Sequence, residues 1–344
     1  MIKSMYSGIS GMNAQQKKLD VIGNNIANSG TTSFKSSSVT FQDTMRETIG
    51  RGSGPVLTLG GSNPKQIGMG VQLQSINVNT GQGSLNPTGR PLDNAIDGNG
   101  YFIVGKGEIT DKIGIDVADG TIGANDADGT MEVYYTRDGE FKRDSMGNLV
   151  TPSGYRVMGY AVLGGDGGDD SIVHGADGKT TVNFVDVNDK ENAVNANEDG
   201  GLIPLVIPET ITKEGKEVRI QGYTIEKDGL IKATLEDGTT TAIGQVAMAS
   251  FVNDSGLESV GQNMAVPGAN SGEPIVRPGK GHDGERKGAE KAYGDIINGM
   301  LEMSNVDLAV EFTEMIVASR SFQACSKVIT TGDEILQELV NLKR

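Results

Sequence analysis

The chain of 344 residues contains one cysteine, two histidines, no tryptophan and only 5% aromatic residues. A lone thiol, Cys325, cannot form an intramolecular disulfide, and His174 and His282 lie too far apart in sequence for a zinc site of ordinary spacing. Basic residues are also in deficit. Thirty of them face 45 acidic ones, and the formal charge of −15 repels nucleic acid and anionic lipid alike. No stretch approaches the roughly 18 uncharged apolar residues of a membrane span, and MIKSMYSGISGMNAQQ at the start has neither an apolar h-region nor a cleavage site. These absences predict a protein that neither spans a membrane nor leaves the cell by the general secretory route, with a dedicated export apparatus still open. What replaces the missing apolar residues is largely glycine: 50 of them, about twice the usual share and without a collagen period, so the chain is rich in turns.

The two ends differ from the middle. Leu301, Leu308, Met315, Phe322, Ile329 and Leu336 recur every seven residues, with Phe312, Ala318, Cys325, Leu339 and Val340 flanking them on the same side. That period predicts a long amphipathic helix. Ser319, Ser326, Asp333 and Gly332 interrupt the supporting seam, which argues against a regular two-stranded zipper. The N-terminus repeats the period in Met5, Met12, Leu19 and Ile26, beside Ile2, Ile9 and Ile22, and predicts a helix over about 4–27 that closes on Asn28, Ser29 and Gly30 in left-handed geometry. Neither helix is stable alone, since each must bury its stripe against the other or against neighbouring molecules.

Between them the texture is β. Alternation marks strands at 71–78, 101–104, 131–135, 155–162, 182–187, 218–223, 230–235 and 243–252. Asp-Gly, a favoured pair of tight hairpins, occurs ten times. The fold class expected is α+β, mainly β, with paired, coiled-coil-like terminal helices carrying inserted antiparallel β domains. The expected division is a helical domain of 1–30 plus 293–344, connecting segments at 31–70 and 268–292, an inner β domain of 71–160 plus 223–267, and an inserted outer β domain at 161–222.

Candidate chemistry fails on context. Gly279, Gly281 and Gly284 have the spacing of a dinucleotide loop, but Pro274 and Pro278 precede them instead of a strand. Gly100, Gly105 and Lys106 imitate a phosphate loop in which Gly107 replaces the magnesium-binding hydroxyl. Asn195, Asn197, Asp199 and Gly200 open like a calcium loop, but Val206 stands where a bidentate glutamate is required, and the run at Asp126, Asp128 and Gly129 starts on Ala124. His174 and His282 read as exposed loop residues, and Cys325 as a small hydrophobe on a helix face. No catalytic, cofactor or metal site is expected, and no enzyme activity.

The run Asn24, Asn25, Ile26, Ala27, Asn28, followed by Thr31, Thr32, Phe34 and Lys35 and preceded by Gln15, Gln16 and Leu19, resembles the signature of the bacterial flagellar rod and hook axial proteins. The segments GRPLDNAIDGNGYF (89–102), Tyr135 to Phe141 and Ser304 to Arg344 are similar to that family too, whereas 161–222 has no obvious counterpart. Ser33 stands where the family commonly has glycine. The resemblance implies a non-enzymatic subunit that polymerises into a helical tube, its terminal helices forming the inner wall. The expected assembly interface is Met5, Ile9, Met12, Leu19, Asn24, Asn25, Ile26, Asn28, Leu301, Leu308, Phe312, Met315, Phe322, Ile329 and Leu336. Implied partners are copies of the chain itself, distal rod, hook cap and hook-filament junction proteins, and the flagellar type III export apparatus. Implied location is the extracellular hook or basal body. Within the family, the additional segment at 161–222 and the segment Asn63 to Val71 (NPKQIGMGV) point to the hook, a curved, torque-transmitting coupling, with the distal rod as the alternative.

Overall fold

The computed structural model describes residues 2–55, 60–116, 119–122, 131–163, 170–175, 180–187, 194–198, 200–213, 216–280 and 293–342. The chain forms two compact units, one made of residues 1–81 and 304–344, the other of 82–303.

The first unit holds both helices, α1 (Ile2–Ala27) and α2 (Leu308–Asn341). At 1.5 Å per residue they run for about 39 and about 51 Å. Asp307 starts α2 as its N-cap, its carboxylate accepting from the Ala309 and Val310 amides at 2.9 and 3.3 Å. This placement corrects the heptad reading at Leu301. That residue lies in a short strand, Met300–Glu302, which pairs with Leu85–Pro87 in the other unit. The end of α1 also differs from expectation. No residue of 28–30 takes positive φ; Asn28 Nδ2 donates back to the Asn24 carbonyl at 2.9 Å, and the left-handed residue is Ser33, at φ 56°. Ser33 thus occupies a conformation that glycine takes without strain, which explains why glycine is commoner there in the family that the sequence resembles.

Residues 31–70 are more than a connection. Ser37–Asp43 pairs antiparallel with Val71–Val78, and Arg46–Gly50 with Lys65–Gly68, so 37–78 is a long β-ribbon belonging to the helical unit. Its base is fastened to both helices by one buried side chain. Asn25, with no accessible surface, donates through Nδ2 to the Ser37 carbonyl and to Glu311 Oε1 of α2, both at 2.8 Å, while its Oδ1 accepts from the Ser37 amide at 3.0 Å. Asn305 performs a second closure, accepting from the Ser36 amide at 2.7 Å and donating to the carbonyls of Asn79 and Gly81.

The second unit is a predominantly antiparallel β body. Its main sheet runs Thr210–Lys213, Lys216–Ile225, Leu230–Leu235, Thr240–Val246, Arg156–Leu163, Tyr101–Lys106, Glu132–Thr136, Met264–Val266 and Glu258–Gly261 in spatial order. The expected turn chemistry holds at Asp228-Gly229 and Asp237-Gly238, which join successive strands of this sheet with glycines at φ 86° and 75°. Neither end of the expected insert is a boundary, because strand Arg156–Leu163 runs across 161 and Lys216–Ile225 across 222. Ile207, Ile211, Leu235 and Ile243 from around that segment share one core with Phe102, Phe141 and Val157.

One ion pair lies inside this body. Arg137 and Glu302 side chains retain 5% and 0% of their exposure, and Arg137 Nε donates to Glu302 Oε2 at 3.0 Å. Glu302 Oε1 accepts from the Gly83 amide at 2.9 Å, and Arg137 Nη2 donates to the Gly98 carbonyl at 2.7 Å. The pair therefore ties the first and last residues of the body to its central strands.

Candidate assembly surface

The helices of the first unit pack antiparallel. A Cβ added at Gly8 would stand 3.1 Å from Ile329 Cγ1, one at Gly11 2.9 Å from Cys325 Sγ, and one at Gly332 3.2 Å from Met5 Cγ. Lys18 and Glu314 pair at 3.2 Å farther along, followed by Asn25 and Glu311. Backbones come this close because small residues line the seam: Cys325 meets Gly8 and Gly11, Gly332 meets Met5, and Ala14 and Ala318 are buried. The glycines that look like defects in each helix are the residues its partner needs. Cys325 serves as a small packing residue, as its position on the apolar stripe suggests.

The expected interface residues divide along this seam. Met5, Met12, Leu19 and Ile26 on α1 and Met315, Phe322, Ile329 and Leu336 on α2 are half-buried. Asn25 is a buried fastener, Asn28 a half-buried helix terminator, and the exposed Asn24 accepts from Asn28 through Oδ1 at 3.0 Å. Ile9, Leu308 and Phe312 are exposed; Leu339 and Val340, which the period places on the seam side, are exposed as well. Leu301 belongs to the other unit.

Residues outside the heptad lists extend the uncovered surface. Val310, Ile316, Val317, Val328 and Ile335 join Leu308, Phe312, Leu339 and Val340 as large apolar side chains of α2 that are 42–67% exposed. Fully burying a Val, Leu, Ile or Phe side chain is worth about 1.5–3 kcal/mol, so a helix that leaves nine of them about half exposed in the monomer has apolar surface suited to a further partner. The signal was in the sequence: α2 is apolar on more than one side, and a single seven-residue period describes only one of them.

Other sequence candidates are structural or fall outside the described residues. His174 is half-buried, its Nδ1 at 2.9 Å from Thr180 Oγ1 and its Nε2 at 3.1 Å from the Pro204 carbonyl, and burial lowers its pKa; it is not the exposed loop residue expected. Asn197 bonds Asp170 and caps the Gly200 amide. The Gly279 amide donates to Glu198 Oε1. Gly281, His282, Gly284, Asp126, Asp128, Gly129 and Asp199 lie outside the described residues. Among the described residues, no three His, Cys, Asp or Glu side chains gather as a metal site would require, and no helix is long and apolar enough to cross a membrane.

Family models match three parts of the chain: "Flagella basal body rod protein" over 5–35, "Flagellar hook protein FlgE/F/G D1 domain" over 119–233, and "Flagellar basal body rod FlgEFG protein C-terminal" over 297–342. The flagellar basal-body rod protein FlgG of Bacillus subtilis is 39% identical over 346 positions, which cover all of both chains. This chain belongs to the flagellar rod and hook protein family. The FlgG rod protein of Buchnera aphidicola subsp. Schizaphis graminum is 30% identical over 99% of this chain and all of its own. The hook protein FlgE of Borreliella burgdorferi is 28% identical, but over 473 positions covering both chains completely. The family is one of structural components of the flagellum. The D1 model spans residues 161–222, and the rod relatives align with this chain from end to end. The matches favour the rod, the alternative reading, over the hook that the segment 161–222 suggested, and the hook relative carries long additions for which this chain has no residues.

Proposed function

We propose that this protein is the subunit of a flagellar rod, a structural polymer and not an enzyme, and that copies associate through the uncovered apolar side of α2. The observation that carries the polymer reading is that side itself: Phe312, Ile316 and Val317 are 50%, 61% and 57% exposed on a helix whose other side is already packed. An amphipathic helix with two apolar sides is satisfied only when a second set of helices covers it. A head-to-tail contact of this kind, with incomplete rotation, builds an open helical assembly.

Identity favours the rod over the hook. The Bacillus subtilis rod protein is 39% identical across the whole chain, whereas the Borreliella hook protein is 28% identical over an alignment of 473 positions. Under this reading the paired helices form coiled-coil-like layers around the lumen, giving a straight segment that transmits torque. Export by the type III apparatus, placement in the basal body outside the cytoplasm, and contacts with neighbouring axial proteins complete the proposal.

Negative-stain electron microscopy of purified full-length protein, with Phe312→Asp/Ile316→Asp beside it, tests the reading. Straight tubes from the unmodified chain and folded monomers from the variant are expected. Curved tubes would return the hook; tubes from both proteins would place the interface elsewhere.

A further inference from the structure

The net charge of −15 is divided very unequally. The helical unit, 1–81 with 304–344, carries 11 basic and 9 acidic side chains, a net +2; the β body, 82–303, carries 19 basic and 36 acidic, a net −17. The apolar side of α2 is in the nearly neutral unit. Among the described residues, Glu217, Glu236, Asp237, Glu258, Glu273 and Asp295 of the body are all exposed, and the deeply buried Arg137–Glu302 pair consumes a single carboxylate.

We infer that self-association of this chain is gated by ionic strength, with the acidic body opposing the association that the helical unit drives. The inference rests on the proposed polymer. Each copy that docks through its helices brings a body of −17 to the assembly, and the added repulsion grows with every neighbour. Screening decides its size. The Debye length is about 30 Å at 0.01 M salt and about 8 Å at 0.15 M, so bodies attached to adjacent copies repel across a wide gap in dilute salt and only near contact in physiological salt. Apolar contact between helices has no such dependence in this range. The arrangement keeps free subunits apart in solution while permitting growth where counterions are plentiful, and it assigns to the body a regulatory role that needs no ligand.

The test is seeded growth of full-length protein, followed by light scattering and sedimentation at 10, 50 and 150 mM NaCl, for the unmodified chain and for E217Q/E236Q/D237N/E258Q/E273Q/D295N. The unmodified chain should show a critical concentration at least tenfold lower at 150 mM than at 10 mM. The six-amide variant, all of whose changes are at exposed positions, should assemble at 10 mM nearly as well as the unmodified chain does at 150 mM. An unmodified critical concentration that ignores salt overturns the inference and leaves the polymer reading standing. An equal salt response in both proteins also overturns it, since the cause would then be salting-out of apolar surface. Absence of polymer from both proteins at every salt overturns it together with the proposed function.

Discussion

Replacing Glu302 by Gln keeps the shape of the side chain and removes its charge. Arg137, with 5% of its side-chain surface exposed, then remains charged inside the β body, and of the Gly83 amide and Arg137 Nε, which bond different oxygens of Glu302, one keeps a neutral acceptor and the other faces an NH2 group. Breaking a buried pair by removing one partner costs about 3–5 kcal/mol, because a charge is left uncompensated. At about 2–4 °C per kcal/mol for a unit of this size, the melting transition of the body should fall by roughly 6–20 °C. Near-UV circular dichroism isolates that transition, since seven of the eight tyrosines lie between residues 82 and 303 and tryptophan is absent. Urea unfolding gives the free energy directly, and hydrogen exchange should show lost protection at the Gly83 amide. Arg137→Met/Glu302→Leu removes both charges and should recover most of the loss, as paired apolar replacements do elsewhere. A loss below about 1 kcal/mol in Glu302→Gln, or a double variant no better than the single one, would refute the reasoning.

Three further outcomes follow from the same structure. Asn25→Ala strips the Ser37 amide and carbonyl and Glu311 of a buried partner; it should cost about 1–3 kcal/mol and raise exchange at Ser37, with the β body unaffected when measured by tyrosine dichroism. Gly139→Ala would drive a methyl into the Asn94 carbonyl oxygen, so the backbone must move and the body should lose stability at or beyond the upper end of the usual range of about 1–3 kcal/mol for overpacking, read by urea midpoint. His174 has a pKa lowered by burial, so the unfolded chain binds its proton first as pH falls; stability should decline as pH drops below the ordinary histidine value toward the lower folded one, and His174→Asn should flatten that segment of the stability profile.

Much of this was legible in the sequence because the governing physics is local. The seven-residue periods located both helices, Asp-Gly pairs marked turns at 228–229 and 237–238, and the Asn24–Asn28 run pointed to the family. Less local facts were hidden. Val71–Val78 reads as a strand, but nothing in its alternation reveals that its partner is Ser37–Asp43 and not the β body. Gly8, Gly11 and Gly332 look like helix weaknesses until the opposite helix is known, when each becomes the point of closest approach. Leu301 satisfies the heptad by coincidence of spacing, and the Asp307 cap, six residues later, shows where α2 begins. Asn25 was recognisable as part of a signature, while its role needed coordinates: one amide joins α1, the ribbon and α2. The uncovered side of α2 could have been found by scoring every face of the helix instead of the strongest one.

The account's central claim is that copies of this chain cover the second apolar side of α2. Cryo-electron microscopy of tubes grown from the full-length protein tests it most directly. The account predicts a straight tube in which helices of neighbouring subunits bury Phe312, Ile316 and Val317. Tubes in which these three side chains remain in contact with solvent, or a protein that stays monomeric at every salt concentration and with every seed, would contradict it.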